Sequence, residues 1–215
     1  MKNYLILTSL LLLTLVACQR QPQGTADIPR QISQSYKISV APFTQPQNPG
    51  QLITGQLPED QGKIPQDELL DLDMDLRDAL LAKANRDYYF IPENNPNGDP
   101  RQFRSSGQPG ALEHWIQFGK RHNAQLLLVP MVLNWHEREG SQAGVDKSAH
   151  VRVEFFLLNI ASGQMIDRST FEEKQVGLAD NLLGVADFVK RKGQWVSARD
   201  LAVEGMANAI KDLGL

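Results

Sequence analysis

Residues 125–135 read QLLLVPMVLNW, eleven positions with no formal charge, most of them Leu, Val or Met. A continuous apolar run of this length suits a β-strand covered on both faces. Pro130 lies inside the run and has no N–H to give, so the strand is expected to carry a bulge or one unpaired side there. A strand of this kind belongs to a sheet with helices packed against it.

Reading outward on the N-terminal side, residues 110–122 predict a helix with Leu112, Trp115, Ile116 and Gly119 along one side. Residues 92–109 form a long Pro-, Asn- and Gly-rich loop, preceded by a short strand over 88–91 that ends at Pro92. Residues 66–85 hold the best-marked helix: Leu69, Leu72, Leu76, Leu80 and Lys83 fall at spacings of three and four. The opposite face carries Asp67, Asp71, Asp75 and Asp78. Residues 44–65, rich in Gln, Pro and Gly, form a second long loop, and loops this long in a compact domain usually bind something or remain disordered. Residues 36–43, YKISVAPF, alternate Ile38 and Val40 with Lys37, Ser39 and Ala41 and read as a strand.

On the C-terminal side, 137–147 is a polar loop. Residues 148–159 and 164–174 read as two strands joined by a turn at Ile160-Ala161-Ser162-Gly163. Leu178, Leu182, Val185 and Val189 keep helical spacing up to a stop at Gly193. The final helix has a capping box, Ser197 with Asp200, and a hydrophobic staple, Val196 with Leu201. Its apolar face is Ala202, Met206, Ala209, Ile210 and Leu213. The alternation of strand and helix predicts a parallel part, and the hairpin adds antiparallel strands. The expected fold is α/β (α+β): one mixed sheet of about five strands packed by about four helices.

Near the N-terminus, Lys2 precedes an uncharged, leucine-dominated stretch from Tyr4 to Ala17. The stretch is shorter than the roughly 20 residues a spanning helix needs and has the layout of a secretory signal. It ends at Leu15-Val16-Ala17-Cys18, and Cys18 is the only cysteine of the 215 residues. This four-residue box resembles a bacterial lipobox. The resemblance implies signal-peptidase recognition at Leu15, Val16 and Ala17, lipidation of Cys18 as the new N-terminus, and, with Gln19 following, delivery to the outer membrane facing the periplasm. Three acyl chains, palmitate among them, exceed the two lipid signals that stable anchoring requires. The expected organisation is a signal peptide over 1–17, a lipidated Cys18 and flexible tether over 18–35, and one periplasmic domain over 36–215. Cleavage before Cys18 moves the formal charge from −3 to −4, with no basic footprint for nucleic acid. With its sole cysteine lipidated, the chain forms no internal disulfide.

The KISVAPF strand, the amphipathic helix after it and Asn123-Ala124-Gln125-Leu126-Leu127-Leu128-Val129 are similar to a periplasmic α/β domain. That domain occurs in the curli secretion lipoprotein CsgG, the penicillin-binding-protein activator LpoB and the N-terminal domain of TolB. Residues 158–165, LNIASGQM, resemble a hairpin of that group, with Asn, Ser and Gln where the group has Asp, Thr and Glu. The resemblance spans about 36–213 and implies no catalytic residues.

The residues by themselves suggest little chemistry. The Asp67, Asp71, Asp75, Asp78 stripe reads as a solvated helix face, because a straight helix diverges where a cation needs converging oxygens. His114 and His122 lie two turns apart on one predicted helix. His136 and His150 lie on predicted strands near Glu137 and Glu139, without the spacing of a zinc motif. The Gly140–Ser148 segment lacks the Gly-Lys pair of a phosphate loop and joins two strands. No nucleophile elbow or Ser-x-x-Lys occurs. No catalytic residue, metal site or cofactor is therefore expected. Lys190, Arg191 and Lys192 between Phe188 and Trp195 are a candidate partner contact, set against a basic helix C-terminus beside a core Trp. Loops 44–65 and 92–109 are the other candidate contact surfaces. The expected function is a non-enzymatic binding or assembly factor held to the membrane by lipid, with an envelope protein as partner and no nucleic acid. The alternatives are a subunit of an export complex like CsgG and an envelope hydrolase.

Overall fold

The computed structural model describes residues 32–83, 86–93, 110–140, 145–175 and 196–215. Its centre is a five-stranded mixed sheet, built in chain order from β1 (Ile38–Val40), α1 (Gln66–Ala82), β2 (Tyr88–Phe90), α2 (Ala111–Arg121), β3 (Leu126–His136), β6 (His150–Asn159), β7 (Gln164–Lys174) and α3 (Ala198–Asp212). Two short strands, β4 (Glu139–Gly140) and β5 (Val145–Lys147), pair as a separate antiparallel ribbon inside the stretch read as a polar loop. The spatial order is β2-β1-β3-β6-β7. β1 runs parallel to β2 and β3, whereas β3, β6 and β7 are antiparallel. The mixed α/β architecture expected from the sequence is present. Three α-helices lie among the described residues, and the helix expected over 178–193 falls outside them.

The connections explain the layers. From β1 the chain moves through α1 to β2 on one side. It then reverses through α2, past β1, to β3 on the other side. Right-handed crossovers in opposite directions place their helices on opposite faces of the sheet. α1 accordingly packs on one face beside α3. There Leu69, Leu72, Leu76 and Leu80 meet Leu201, Met206 and Ile210 over Val40, Leu128, Val153 and Phe155. α2 packs on the other face, where Trp115, Ile116 and Phe118 meet Leu127, Val129, Phe156 and Leu158. Each Leu or Ile so buried stabilises the fold by roughly 1.5–3 kcal/mol relative to exposure.

Residues 126–135 are buried at every position, as the apolar run required. The Pro130 carbonyl accepts from Thr44 N at 3.3 Å. The side of Pro130 that lacks a donor therefore faces the place where β1 has already ended. A register shift follows between Val132 and Asn134. β1 is shorter than the expected 36–43. Its alternation is also lost to burial, because Ser39 is as buried as Ile38 and Val40. The cause is position: β1 lies between two strands and is covered on both faces.

Two expected features appear at the level of single hydrogen bonds. Ser197 Oγ accepts from Asp200 N at 3.1 Å while Asp200 Oδ2 accepts from Ser197 N at 2.9 Å, closing the capping box of α3. The β6–β7 turn ends at Gly163 with φ +68°, a conformation other residues adopt at a cost.

Candidate functional site

Loop 44–65 is only in part an open surface: residues 47–50 and 59–60 are exposed, while other parts pack inward. Leu52, with Ile53 and Leu57 partly buried, joins the apolar cluster under α2. Its backbone is held by side-chain amides: Gln45 Nε2 donates to Gly62 O at 2.7 Å, and Gln61 Nε2 donates to Leu133 O at 3.0 Å and to Pro46 O at 2.9 Å. The loop thus covers part of the sheet face that α2 covers in part. Gly62 passes so close to β3 that a Cβ there would overlap the Trp135 carbonyl.

Beside this cover the sheet face turns polar. β3, β6 and β7 place Asn134 opposite Arg152, Arg152 opposite Glu172, and His136 opposite His150. The side chains form a chain of contacts. Gly62 N donates to Asn134 Oδ1 at 2.8 Å, which turns the amide nitrogen toward His150 Nδ1 at 3.1 Å. His150 Nδ1 must therefore accept, and its proton sits on Nε2, which reaches Glu172 Oε1 at 3.2 Å. Arg152 donates to Glu154 at 2.8 Å and approaches Glu172 at 3.8 Å. Glu154 is 1% exposed, and its second oxygen has no hydrogen-bond partner among the described residues. A buried carboxylate so placed relies on Arg152, and removing one partner of such a pair costs more than forming it gains.

His136 stacks on His150 with ring centroids 6.0 Å apart and 17° between the planes. His136 Nε2 lies 2.7 Å from the carbonyl of Asp60. A carbonyl only accepts, so this nitrogen carries a proton, and in the neutral ring Nδ1 is the bare nitrogen. The Asp60 carboxylate lies 3.9 Å from the same Nε2. A ligand atom from each of Asp60, His136 and His150 lies within 4.8 Å of the others. The three border an open cleft of about 700 Å³ that Lys63, Glu68 and Glu137 also line. Burial raises the Glu68 carboxyl above the usual range, against the lowering effect of Arg199. Glu137 accepts from Ala198 N at 3.1 Å and so serves the start of α3.

A second concave region lies at the opposite sheet edge, between α1 and β2. This groove of about 330 Å³ is lined by Pro42, Leu70, Met74, Phe90 and Ile91. Leu70 and Met74 are 41% and 55% exposed, and Leu81 continues the stripe along α1. Arg77 lies over the Phe90 ring at 5.1 Å.

The expected site residues separate into three groups. Leu15, Val16, Ala17, Cys18, Phe188, Lys190, Arg191, Lys192 and Trp195 lie outside the described residues, as does loop 94–109. His114 and His122 stay apart from the cleft. The acidic stripe is not simply solvated: Asp71 and Asp75 both hold Arg199 of α3, Asp75 through two bonds of 2.8 and 3.0 Å. Asp73 Oδ1 accepts from Phe43 N at 2.6 Å. Sequence reading found His136 and His150 separately. It missed Asp60, which nothing local marks, and missed that the two histidines are a direct cross-strand pair.

No family model matches the chain, and no curated protein matches it. Among solved structures it is similar to the PelC dodecamer from Paraburkholderia phytofirmans, at 14% identity over 85% of this chain and 89% of that one, with a TM-score of 0.48. It is similar to lipoprotein GNA1162 from Neisseria meningitidis, at 14% identity over 74% of this chain and 96% of that one, with a TM-score of 0.35. The LpoB C-terminal domain from Escherichia coli is similar at 12% identity over 67% and 86%, with a TM-score of 0.37. No residue, ligand or assembly is carried over from these likenesses. No helix among the described residues is long and apolar enough to cross a membrane.

Proposed function

We propose that this protein is a lipid-anchored, non-enzymatic accessory factor of the bacterial envelope that binds an envelope protein, with Cys18 as the anchor at the outer membrane and residues 19–35 as the tether. The anchor rests on the Leu15–Cys18 box. The binding role rests on one structural observation, the exposed Leu70-Met74-Leu81 stripe beside the β2 edge of the sheet. An edge strand offers unpaired backbone groups, and the adjoining groove offers apolar side-chain pockets. An extended segment of a partner protein, with apolar side chains at alternate positions, fits that combination. Two of the surfaces expected from the sequence lie wholly or largely outside the described residues, and loop 44–65 is occupied with covering the sheet, so the contact face moves to α1 and β2.

Two measurements test this reading. Cys18→Ala is expected to shift the protein from the membrane fraction to the soluble fraction; unchanged fractionation overturns the anchor. A photoreactive residue at Met74 is expected to give one dominant crosslinked product in intact cells, and the same residue at Lys211 none. No product at Met74 at any growth stage overturns the binding face.

A further inference from the structure

We propose that Asp60, His136 and His150 form a binding site for a divalent transition-metal ion of the zinc class. The proposal is independent of the anchor and of the α1–β2 face. Two imidazoles and one carboxylate are a donor set suited to zinc and neighbouring ions, and three protein ligands leave a position for water or a partner group. The backbone brings the histidines together: they are directly paired across β3 and β6 and stacked. The loop brings the carboxylate, because Gly62 docks residues 60–62 against the end of β3.

The hydrogen bonds around the rings fit a cation better than chance placement of two histidines. A ligating histidine typically holds its second ring N–H on a carbonyl or carboxylate, which fixes the tautomer and orients the lone pair. Both rings here meet that description. His136 holds its Nε2 proton on the Asp60 carbonyl, and His150 holds its own on Glu172. Each is left with a bare Nδ1. His136 Nδ1 has no hydrogen-bond partner among the described residues, whereas His150 must release the Asn134 amide before it coordinates. The Asp60 carboxylate lies 3.9 Å from His136 Nε2 rather than beside Nδ1, and its side chain is 71% exposed, so it has to rotate about its own bonds to meet a cation on the Nδ1 side. A cation held by all three would join loop 44–65 to β3 and β6 and tighten the cover over that sheet face.

The test uses untagged full-length protein in detergent, stripped with chelator and titrated with Co²⁺. The expected result is one equivalent bound with the visible absorption of a low-symmetry nitrogen- and oxygen-ligated site, displaced by Zn²⁺. His136→Ala and Asp60→Asn are each expected to weaken binding at least about tenfold, and His122→Ala to leave it unchanged. Asp60→Asn keeps the backbone carbonyl and lies at the surface, so it separates loss of a ligand from loss of the fold. Absence of saturable one-to-one binding overturns the proposal. So does binding that survives Asp60→Asn and His136→Ala, or that falls equally in His122→Ala.

Discussion

The two faces of the sheet are closed by different means. On one, α1 and α3 lie side by side and bury an apolar surface from Leu69 to Ile210, with Phe43 and Phe155 meeting edge to face at 5.9 Å. On the other, among the described residues, one helix covers the start of β3 and an irregular loop joins in the cover. Among the described residues the helix-covered face carries no fully buried charged side chain. The loop-covered face carries Arg152, Glu154, Asn134 and the stacked histidines. A helix satisfies its own backbone and brings an apolar stripe, so it seals a face cheaply. A loop must find partners for its N–H and C=O groups and draws polar side chains to the place it covers. Chemistry collects under the loop for that reason.

The largest expected effect tests the apolar face. Phe155→Ala removes a ring that is 1% exposed from the α1–α3 side. It should destabilise the whole domain by about 3–5 kcal/mol in urea unfolding. A loss under about 1 kcal/mol would show that this face does not carry the core.

Gly62→Ala should act on the other face and locally. The added methyl group collides with the Trp135 carbonyl, so residues 60–62 must lift. We expect a loss of about 1–3 kcal/mol, with faster amide exchange at Ile64 and Leu52 and unchanged protection in α1. Exchange that rises equally in both would mean that the faces are one cooperative unit.

Arg199→Leu should give a smaller effect, about 0.5–1 kcal/mol, because the Asp71–Arg199–Asp75 tie between α1 and α3 is more than a third exposed at Arg199. A larger loss would mean that the helices depend on this clasp as much as on their leucines.

The smallest effect is a pH dependence. Burial, helped by Arg121, holds the His122 imidazole below its usual pKa, so the folded state resists its protonation. The unfolded chain then takes up the proton first as pH falls through about 6.5. This histidine's contribution is therefore present above that pH and lost progressively below it. His122→Gln should flatten the stability curve below about pH 6.5; an unchanged slope would locate the dependence elsewhere.

The five strands of the main sheet and the three described helices were legible because each carries its own periodicity or cap, whereas the β4–β5 ribbon, two and three residues long, carries neither. The leucine spacing of α1, the Ser197–Asp200 box and the Gly163 turn are local, and local patterns need no knowledge of the rest of the chain. The role of loop 44–65 was not legible. Its Gln, Pro and Gly content reads as solvent-facing, yet Gln45 and Gln61 spend their amides on backbone groups far along the chain. The acidic face of α1 misled for a similar reason, since Arg199 lies 124 positions beyond Asp75.

What the residues determined alone is most of the strands, the three described helices, their order and the mixed α/β class. The tertiary structure alone decided the strand order, the division of labour between the two faces, and the meeting of Asp60 with His136 and His150. The physical reason is range. Helix and strand patterns arise from contacts within a few residues, whereas a cluster of side chains from a loop and two strands exists only after the sheet has chosen its register.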